Sequence, residues 1–398
     1  MNKKITLESI NKCMNWIEEQ MLTFDNGYWG IYERIRIDEN LRVNWTRPDC
    51  NAEVARVIAE YKKITGDGRY DGLYRNVTNW LLKTQDNDEL SAWYGTFPFY
   101  LIDGSVVETV SGISLYQNDN GKVLIALLDM YKITGALRLL ESAVKLADYW
   151  AGIQRPEGFF VRKDGGKTQT IPEGPCFVLW LATGLMMCYK ATGKEKYRKS
   201  ADKAFEYVLG LQMKNGRMKT TYEIDKKEDW RPVSSETAIA LYALSKSYIE
   251  SGDAKYLKPL NNAGKYLLSL QDKSGGICNC SDDCPEASLQ SNKSLCDLVY
   301  TQGFALMGLA EAAKATGQSV YTEGAKKLAE FLTSIQCSGE SPLWDGAWRG
   351  SFNIDTWQWD GRANQNNPID EGGMYSVYTG WCAAPIMYGL LLTLQLGE

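Results

Sequence analysis

A short phrase that ends in glycine recurs along the chain, each time between two stretches with helical periodicity. Glycine directly after a helical stretch is typical of a left-handed helix cap. The five copies lie at residues 64–66, 133–135, 191–193, 250–252 and 315–317. The helix after each copy closes on a glutamine, and these recur at intervals of 58 to 69 residues: Gln85, Gln154, Gln212, Gln271 and Gln336. Gln20 lies 65 residues before Gln85, so the N-terminal helix opens the same series.

Two kinds of helical pattern alternate between these markers. Helices of the first kind are apolar nearly all round and start near residues 49, 118, 173, 235, 298 and 375. Helices of the second kind are amphipathic and cover residues 6–20, 69–85, 138–154, 195–212, 255–271 and 320–336. Apolar helices belong inside a fold and amphipathic ones at its surface. We therefore predict an all-α protein, an (α/α)6 barrel or toroid of six helical hairpins that forms one domain over residues 1–398. An open solenoid of the same hairpins is the structural alternative.

The connections that follow the glutamines are long, and long structured loops gathered at one end of a barrel are where binding sites form. Residues 28–45 alternate apolar and polar side chains around a turn at 38–40, which predicts a small β-hairpin at this end. Four arginines lie on this segment or just after it: Arg34, Arg36, Arg42 and Arg47. A solvated strand face is one interpretation of these charges, and an anion-facing wall for an acidic sugar is the other.

The composition excludes several classes of function. The chain has no histidine, which rules out Ser-His-Asp and Cys-His triads and histidine-based metal sites. Its net charge of −5 argues against a general affinity for nucleic acid. No stretch has the apolar length of a signal core or a membrane span. We therefore expect a cytoplasmic protein with no nucleic-acid or membrane partner, and the oligomeric state stays open.

Three acidic residues stand near the start of helices of the first kind, at nearly one level of the predicted barrel. Each lies 15 or 16 residues before the hydroxyl residue of the following turn: Asp49, Asp119 and Glu236. N-capping of a helix explains any one of them. All three at one level, beside Trp45, Tyr116 and Trp381, predict a shared site into which helix amide groups point.

Paired carboxyl groups suit the cleavage of a glycosidic bond. One protonates the leaving oxygen, and the second activates water or attacks the anomeric carbon. Crowding raises the pKa of a carboxyl while helix amides lower it, so one site can hold a protonated acid beside an ionised one. We assign Asp119 as general acid and Asp49 as its base partner, with Glu236 or Glu173 as rivals for these roles. The candidates for substrate binding are Trp45, Arg47, Tyr116, Asn118, Asn120, Glu173, Trp348, Arg349, Tyr378 and Trp381.

The cysteines between residues 278 and 284 have more than one interpretation. Cys278, Cys280 and Cys284 have thiolate ligands to offer a zinc ion, but their spacing is not that of a paired C-x2-C ribbon. Reduced thiols in a loop or a local disulfide are the alternatives that we favour. We therefore expect neither a metal nor a cofactor.

The repeated hairpins and the acids at their mouth resemble the six-hairpin glycosidase-like superfamily, which includes unsaturated glucuronyl hydrolases, other glycoside hydrolases and several polysaccharide lyases. The resemblance covers nearly the whole chain as architecture. Residues 118–121, Asn-Asp-Asn-Gly, look like the acid that opens an inner helix in those hydrolases. Residues 348–352, 370–373 and 379–381 look similar to a C-terminal pattern of uncharacterised members.

This resemblance implies a glycoside hydrolase that acts on an oligosaccharide by carboxylate acid–base catalysis, with uronate-containing chains among the candidate substrates. The chain departs from many relatives in lacking the histidines that bind sugar or serve a lyase there. Three alternatives stay open. A polysaccharide lyase would use Tyr or Arg to abstract the proton alpha to a uronate, and Tyr116, Tyr300 and Tyr378 with Arg47 are the candidates. A toroid similar to terpene cyclases and prenyltransferases, or a sugar-binding protein without catalysis, are the others.

Overall fold

The computed structural model describes the chain except residues 24–28, 107, 110–111, 161–162, 165–166, 169–174, 226–230, 282–291, 362–372 and 398. The chain divides into two compact units. The first unit comprises Leu22–Glu33 and Asn44–Leu211, and the second comprises Met1–Met21, Arg34–Val43 and Gln212–Glu398. The single domain expected over residues 1–398 stays a prediction.

The described residues are predominantly helical. In chain order the helices are α1 (Lys3–Gln20), α2 (Pro48–Thr65), α3 (Asp71–Thr84), α4 (Gln117–Thr134), α5 (Leu137–Gly152), α6 (Val178–Thr192), α7 (Glu195–Leu209), α8 (Thr221–Asp225), α9 (Val233–Ser251), α10 (Leu257–Ser269), α11 (Gly303–Thr316), α12 (Ser319–Ser334) and α13 (Ala384–Leu394). These bounds confirm the alternation of two kinds of helix along the sequence.

The first unit contains three helical hairpins, α2–α3, α4–α5 and α6–α7. Helix α2 packs against α4, and α4 packs against α6. These three helices are buried along most of their length, whereas α3, α5 and α7 bury a single face. The burial follows the apolar and amphipathic patterns of the sequence, because removing apolar surface from water is favourable, whereas burying an unpaired polar group costs free energy.

The second unit repeats this arrangement with the hairpins α9–α10 and α11–α12. Helix α11 packs against α9 and α13, and α1 packs against both α12 and α13. The amphipathic N-terminal helix and the apolar C-terminal helix therefore meet as a sixth pair.

Two helix starts differ from the sequence-based prediction. Helix α11 is preceded by a π-helical turn at Leu298–Gln302, and α13 by another at Thr379–Ala383. The predicted start near residue 375 was wrong, because Ser376–Tyr378 forms a strand that pairs with Arg34–Arg36. The predicted start near residue 173 lies outside the described residues, and a 3-10 turn at Pro175–Phe177 leads into α6.

The recurring Thr-Gly phrase forms the turn of each hairpin by one mechanism. The glycine that follows α2, α4, α6, α9 or α11 is left-handed, with φ between 68° and 72°. In four turns a threonine hydroxyl, and in one a serine hydroxyl, donates to the carbonyl four residues earlier: Thr65, Thr134, Thr192, Ser251 and Thr316. The phrase thus satisfies a carbonyl at the helix end and supplies the positive φ that glycine adopts without strain.

The recurring glutamines link neighbouring amphipathic helices. The side-chain amide of Gln85 donates to the carbonyl of Gly95 in its own loop, at 2.8 Å, and to that of Ser142 on α5, at 3.0 Å. Gln336 makes the equivalent bonds to Gly346 and to Ser9 of α1. The other three glutamines repeat the pattern: Gln154, Gln212 and Gln271. One amide therefore fixes both the loop and the next helix.

The loop glycine in this linkage approaches the next helix too closely for a side chain. At Gly158, φ is +107°, and an added Cβ would lie 2.3 Å from the carbonyl oxygen of Lys203 on α7. Four other loop glycines have a positive φ and face a backbone carbonyl in the same way: Gly95, Gly216, Gly275 and Gly346. Close packing at this level of the fold therefore depends on the absence of a Cβ.

Short strands lie in the loops between the helices. In chain order they are β1 (Arg34–Arg36), β2 (Leu41–Arg42), β3 (Leu101–Ile102), β4 (Ser105–Val106), β5 (Glu108–Thr109), β6 (Gly112–Leu115), β7 (Lys163–Asp164), β8 (Lys167–Thr168), β9 (Leu295–Asp297), β10 (Ser351–Asn353), β11 (Gln358–Trp359) and β12 (Ser376–Tyr378). Strands β1 and β2 form the predicted hairpin, and β1 also pairs antiparallel with β12. Strand β10 pairs with β9 and β11, while β5 to β8 form a ribbon in the first unit.

Candidate active site

Two of the predicted acids come together in the first unit. Asp49 is the second residue of α2 and Asp119 the third residue of α4, and these helices pack against each other. Both side chains are buried, with exposed fractions of 1% and 3%. A carboxylate in the first turn of a helix is stabilised by the positive end of the helix dipole. The structure thus brings these two carboxyl groups together, and the catalytic site predicted for Asp49, Asp119 and Glu236 stays a prediction.

Arg47, the residue before Pro48 and α2, joins the two acids through one guanidinium. Its Nε lies 3.1 Å from Asp49 Oδ1, and its Nη2 lies 2.8 Å from Asp119 Oδ1. Its Nη1 lies 2.6 Å from Oε1 of Glu33, a third buried carboxyl. The planar fork of arginine suits this role, because its nitrogens reach several acceptors at fixed angles.

A buried lysine completes the cluster from the next turn of α4. Lys122 has no exposed surface, and its Nζ lies 3.5 Å from Asp49 Oδ2. Sequence reasoning missed both Lys122 and Glu33. A lysine directly before the apolar run at residues 123–128 was the available signal for Lys122, because a fully buried lysine needs a partner. The available signal for Glu33 was its place between Ile31 and Ile35 on one face of the predicted strand, where an acid among apolar residues needs a partner.

The charges of this cluster balance when one of its carboxyl groups is protonated. Three carboxyls face two cations, so the cluster is neutral only when one acid holds a proton. Burial, opposed by Arg47 and Lys122 and assisted by Asp49, raises the pKa of Asp119 to about 8. Burial lowers the pKa of Arg47, but the three carboxyls more than compensate, and the net pKa is raised. Asp119 is therefore the protonated member near neutral pH.

The two oxygens of Asp119 have different surroundings. Oδ1 accepts hydrogen bonds from Arg47 Nη2, at 2.8 Å, and from the side-chain amide of Asn118, at 3.0 Å. Oδ2 is buried and has no hydrogen-bond partner among the described residues. An oxygen that already accepts two donors is a poor place for a proton, so the acid proton lies on Oδ2. A buried polar atom without a partner is costly unless a ligand satisfies it.

Four half-buried aromatic rings adjoin this cluster and are called the aromatic wall: Trp45, Phe99, Tyr100 and Tyr116. Ring centroids lie 5.1 Å apart for Trp45 and Tyr100, 5.0 Å for Phe99 and Tyr100, and 4.4 Å for Phe99 and Tyr116. The Arg47 guanidinium lies 4.5 Å from the Phe99 ring centre. Phe99 and Tyr100 were missed in the sequence, because they lie in a long loop with no periodic pattern.

Asn120 holds the loop that carries the aromatic wall. Its side-chain carbonyl accepts from the backbone N–H of Phe97, and its amide donates to the carbonyl of Phe97, both at 3.0 Å. Asn51 of α2 makes the same pair of bonds to Ile31, and Gln302 makes them to Ile277. Asn120 therefore has a fully engaged side chain that positions the loop, and its role in substrate binding stays a prediction.

The third predicted acid lies in the second unit. Glu236 is near the start of α9, is 1% exposed and pairs with Arg231 at 2.8 Å. Its grouping with Asp49 and Asp119 stays a prediction. Glu173 lies outside the described residues.

Four predicted sugar-binding residues also lie in the second unit. Trp348 is fully buried and donates to the carbonyl of Leu332 at 2.8 Å, which is a core position. The Tyr378 hydroxyl accepts from Arg34 at 2.6 Å, and Arg349 pairs with Glu340. The Trp381 ring is 4% exposed and packs against two other rings, those of Tyr300 and Phe304. These contacts explain all four as packing or pairing residues, and a role in binding sugar stays a prediction.

The second unit has another buried acid that the sequence did not single out. Asp297 is 2% exposed, and burial raises its pKa to about 7. It caps the π-helical turn at Leu298–Gln302, where its Oδ2 accepts the backbone N–H of Tyr300 at 2.7 Å. Capping accounts for its presence at a helix start.

The cysteine cluster is described in part. Cys280 is buried and Cys278 half-buried, while Cys284 lies outside the described residues. Within the described ranges, no group of three or more acidic or cysteine side chains is placed to hold a metal ion.

No family model and no curated protein matches this chain. Solved structures do match. A sugar epimerase from a ruminal bacterium matches with a TM-score of 0.73 and 14% identity, covering 99% of this chain and 98% of that chain. An inactive variant of an α-1,6-mannanase from Salegentibacter, with two adjacent aspartates changed to asparagine and α-1,6-mannotriose bound, matches at 0.63 and 13%, covering 98% and 99%. Unsaturated glucuronyl hydrolase from Streptococcus agalactiae matches at 0.62 and 15%, covering 98% and 92%.

The chain shares its fold with these solved structures. The predicted fold class, an all-α (α/α)6 barrel with small strands in its loops, is confirmed by this likeness. The resemblance stated from the hairpins and their acids is confirmed at the level of the fold. None of the helices in the described ranges has both the length and the apolar character that crossing a membrane requires.

Proposed function

We propose that this six-hairpin chain is a glycoside hydrolase in which Asp119 is the general acid and Asp49 the ionised base partner. The observation that carries the proposal is Asp119 Oδ2, a buried oxygen without a partner on a carboxyl whose pKa is raised to about 8. A general acid needs to be protonated at working pH and to aim its proton at an empty position. A leaving glycosidic oxygen supplies the acceptor that the described residues do not offer to Oδ2.

Asp49 suits the second role because two cations hold it in the ionised form. Arg47 and Lys122 both contact its carboxylate. An ionised carboxylate beside a protonated one is the pairing that glycosidic cleavage uses, and it also stabilises the positive charge that develops on the sugar ring. The aromatic wall offers flat apolar surface for the faces of pyranose rings. The candidate substrate is therefore an oligosaccharide.

The structural neighbours support a sugar substrate for this fold. They include proteins named as a sugar epimerase, an α-1,6-mannanase and an unsaturated glucuronyl hydrolase. The mannanase variant described as inactive has lost two carboxyl groups and still carries mannotriose. A carboxyl-dependent reaction within the same fold agrees with the role proposed for Asp119.

The test is a screen of oligosaccharides in which three products are measured in parallel. New reducing ends that appear without ultraviolet absorbance support hydrolysis, and they must disappear in Asp119→Asn. An unsaturated product that absorbs in the ultraviolet would replace hydrolase with lyase. Conversion between isomeric sugars without new reducing ends would indicate an epimerase or isomerase, and binding without turnover would indicate a sugar-binding protein. Asp88→Asn, an exposed carboxyl of the same unit, is the matched control.

A further inference from the structure

We infer that this site takes neutral sugars and discriminates against uronates, an inference that rests on the proposed function and narrows its substrate class. A uronate carboxylate is recognised in proteins by an arginine fork or a lysine with donors to spare. In the described part of the first unit, three cations are buried: Arg47, Arg56 and Lys122. Each of them already contacts at least one carboxylate.

Arg47 directs every nitrogen of its guanidinium at the protein. Nε and Nη2 contact Asp49, Nη2 also contacts Asp119, and Nη1 contacts Glu33 at 2.6 Å. The Phe99 ring lies against the same group. A uronate would have to displace a carboxylate that is already fixed beside Arg47, so this arginine is a structural clamp and not a receptor for an anion.

The other two buried cations are also engaged. Lys122 contacts Asp49, and Arg56 lies 2.6 Å from Glu53 and 3.5 Å from Asp129. Glu53 is buried as well, and the loss of solvation raises its pKa. The buried carboxyls of this network outnumber its cations by five to three. A further negative charge would enter a region without surplus positive charge.

The arginines that favoured an acidic sugar in the sequence are not directed at a ligand either. Arg34 donates to the Tyr378 hydroxyl, Arg36 pairs with Glu39 at 2.7 Å, and Arg42 donates to the carbonyl of Gln20 at 2.6 Å. The hairpin charges are therefore explained by contacts within the second unit. The aromatic wall, by contrast, binds neutral ring faces without any charge.

The size of the expected effect follows from Coulomb's law. At an effective dielectric constant of about 20, a carboxylate about 6 Å from ionised Asp49 alone is disfavoured by a factor of about 100, and the attraction of Arg47 and Lys122 offsets part of this repulsion. The structure therefore predicts that a hexoside and the matching uronide differ by up to about 100-fold in kcat/KM. The methyl ester of the uronide, which keeps the shape and removes the charge, should behave like the hexoside.

The experiment compares 4-nitrophenyl hexosides, uronides and uronide methyl esters of the glucose, galactose and mannose series with the wild-type chain. Preference for both neutral forms supports the inference. A uronide cleaved as well as its methyl ester, or better, overturns it and leaves the hydrolase proposal standing. If nothing is cleaved, the hydrolase proposal fails, and calorimetric binding of hexoses and hexuronates still decides the question. Tighter binding of the uronate would then overturn the inference.

Glu33 offers a variant that should change this selectivity. Glu33→Gln removes one negative charge and leaves Arg47 Nη1 without an anionic partner, so discrimination against the uronide should fall about tenfold. Glu141→Gln, an exposed carboxyl on α5, should leave the ratio unchanged. Circular dichroism establishes whether Glu33→Gln is folded, and the wild-type series tests the inference if it is not. A folded Glu33→Gln chain with the wild-type ratio would contradict the role given to Glu33.

Discussion

Asp119 in the first unit and Asp297 in the second unit look alike by burial and differ in what they contact. Both are nearly inaccessible acids at the start of apolar helical segments, and burial raises the pKa of Asp119 to about 8 and that of Asp297 to about 7. The carboxyl group of Asp297 serves its own turn, where Oδ2 accepts the backbone N–H of Tyr300. Asp119 has a buried Oδ2 that meets no donor or acceptor among the described residues.

This difference shows that a raised pKa alone does not identify a catalytic acid. Desolvation acts on any enclosed carboxyl, whether it caps a helix or protonates a substrate. Asp119 differs from Asp297 in two ways. Its Oδ2 has no hydrogen-bond partner among the described residues, and the aromatic wall adjoins its cluster. Variants at the two positions should therefore have opposite consequences for activity and stability.

The largest expected effect is the loss of activity in Asp119→Asn. Removing a general acid typically lowers the rate by about 100- to 10,000-fold, and we expect about 1,000-fold in kcat/KM on the best substrate of the screen. Asp297→Asn should stay within about threefold of wild type, because its side chain serves a helical turn. Comparable losses in the two variants would remove the distinction between the two acids.

The second-largest expected effect is on the pH dependence of the free energy of unfolding, to which Asp119 and Asp297 should contribute over different pH ranges. An unfolded Asp has a pKa of about 3.9, so between about pH 4 and about pH 8 the folded chain keeps a proton on Asp119 that the unfolded chain releases. The raised pKa therefore makes the free energy of unfolding decrease as pH rises through this window, by up to about 1.4 kcal/mol per pH unit. Asp297 contributes in the same direction only up to about pH 7.

Asp119→Asn should remove the contribution of Asp119 and leave that of Asp297. Urea unfolding at pH 5, 6, 7 and 8 should show the variant gaining stability relative to wild type as the pH rises, by a few kcal/mol over the range. Asp297 is present in both chains, so its contribution cancels in this difference. A constant difference between the two chains at all four values would contradict a raised pKa at Asp119.

A smaller effect on stability is expected for Asp297→Ala. This change removes the cap of the turn that precedes α11 and should lower the free energy of unfolding by about 1–2 kcal/mol, with activity retained. Chemical unfolding and kcat/KM are measured on the same preparation. A strong loss of activity in a chain of wild-type stability would show that Asp297 takes part in chemistry.

The smallest effect concerns the aromatic wall. Tyr100→Ala removes a half-buried ring that stacks with Trp45 and Phe99, so KM should rise about three- to tenfold while kcat changes little. Tyr74→Ala, a partly exposed ring on the first amphipathic helix of the same unit, is a control. Equal effects of the two substitutions would leave the wall without a role in binding.

The fold could be predicted from the sequence because the same short motifs recur in each hairpin. Each turn uses a hydroxyl and a left-handed glycine, as at Thr65 and Gly66, and five amphipathic helices are followed by an amide such as Gln85 that reaches the next helix. These are short-range requirements, so they leave a regular trace along the chain. The exception is the start of the last helix, where pairing of Ser376–Tyr378 with a distant strand overrides the helical pattern.

The site was only partly predictable, because its charges are matched across long stretches of chain. Asp49 and Asp119 were found through their common position in the hairpins. The clamp by Arg47 depends on Glu33, which lies 14 residues away on a different element, and Lys122 meets Asp49 from 73 residues away. Pairing at such distances follows from packing of α2 on α4, which no local pattern in the sequence encodes.

The most direct test of this account is the protonation state of Asp119 itself. Infrared difference spectra between wild type and Asp119→Asn, recorded from pH 5 to pH 10, isolate the carbonyl stretch of a protonated Asp119. The account predicts a protonated carboxyl at pH 6 that is lost with a midpoint of about 8. A carboxyl that is already ionised at pH 6 would contradict it, because Asp119 would then have no proton to deliver.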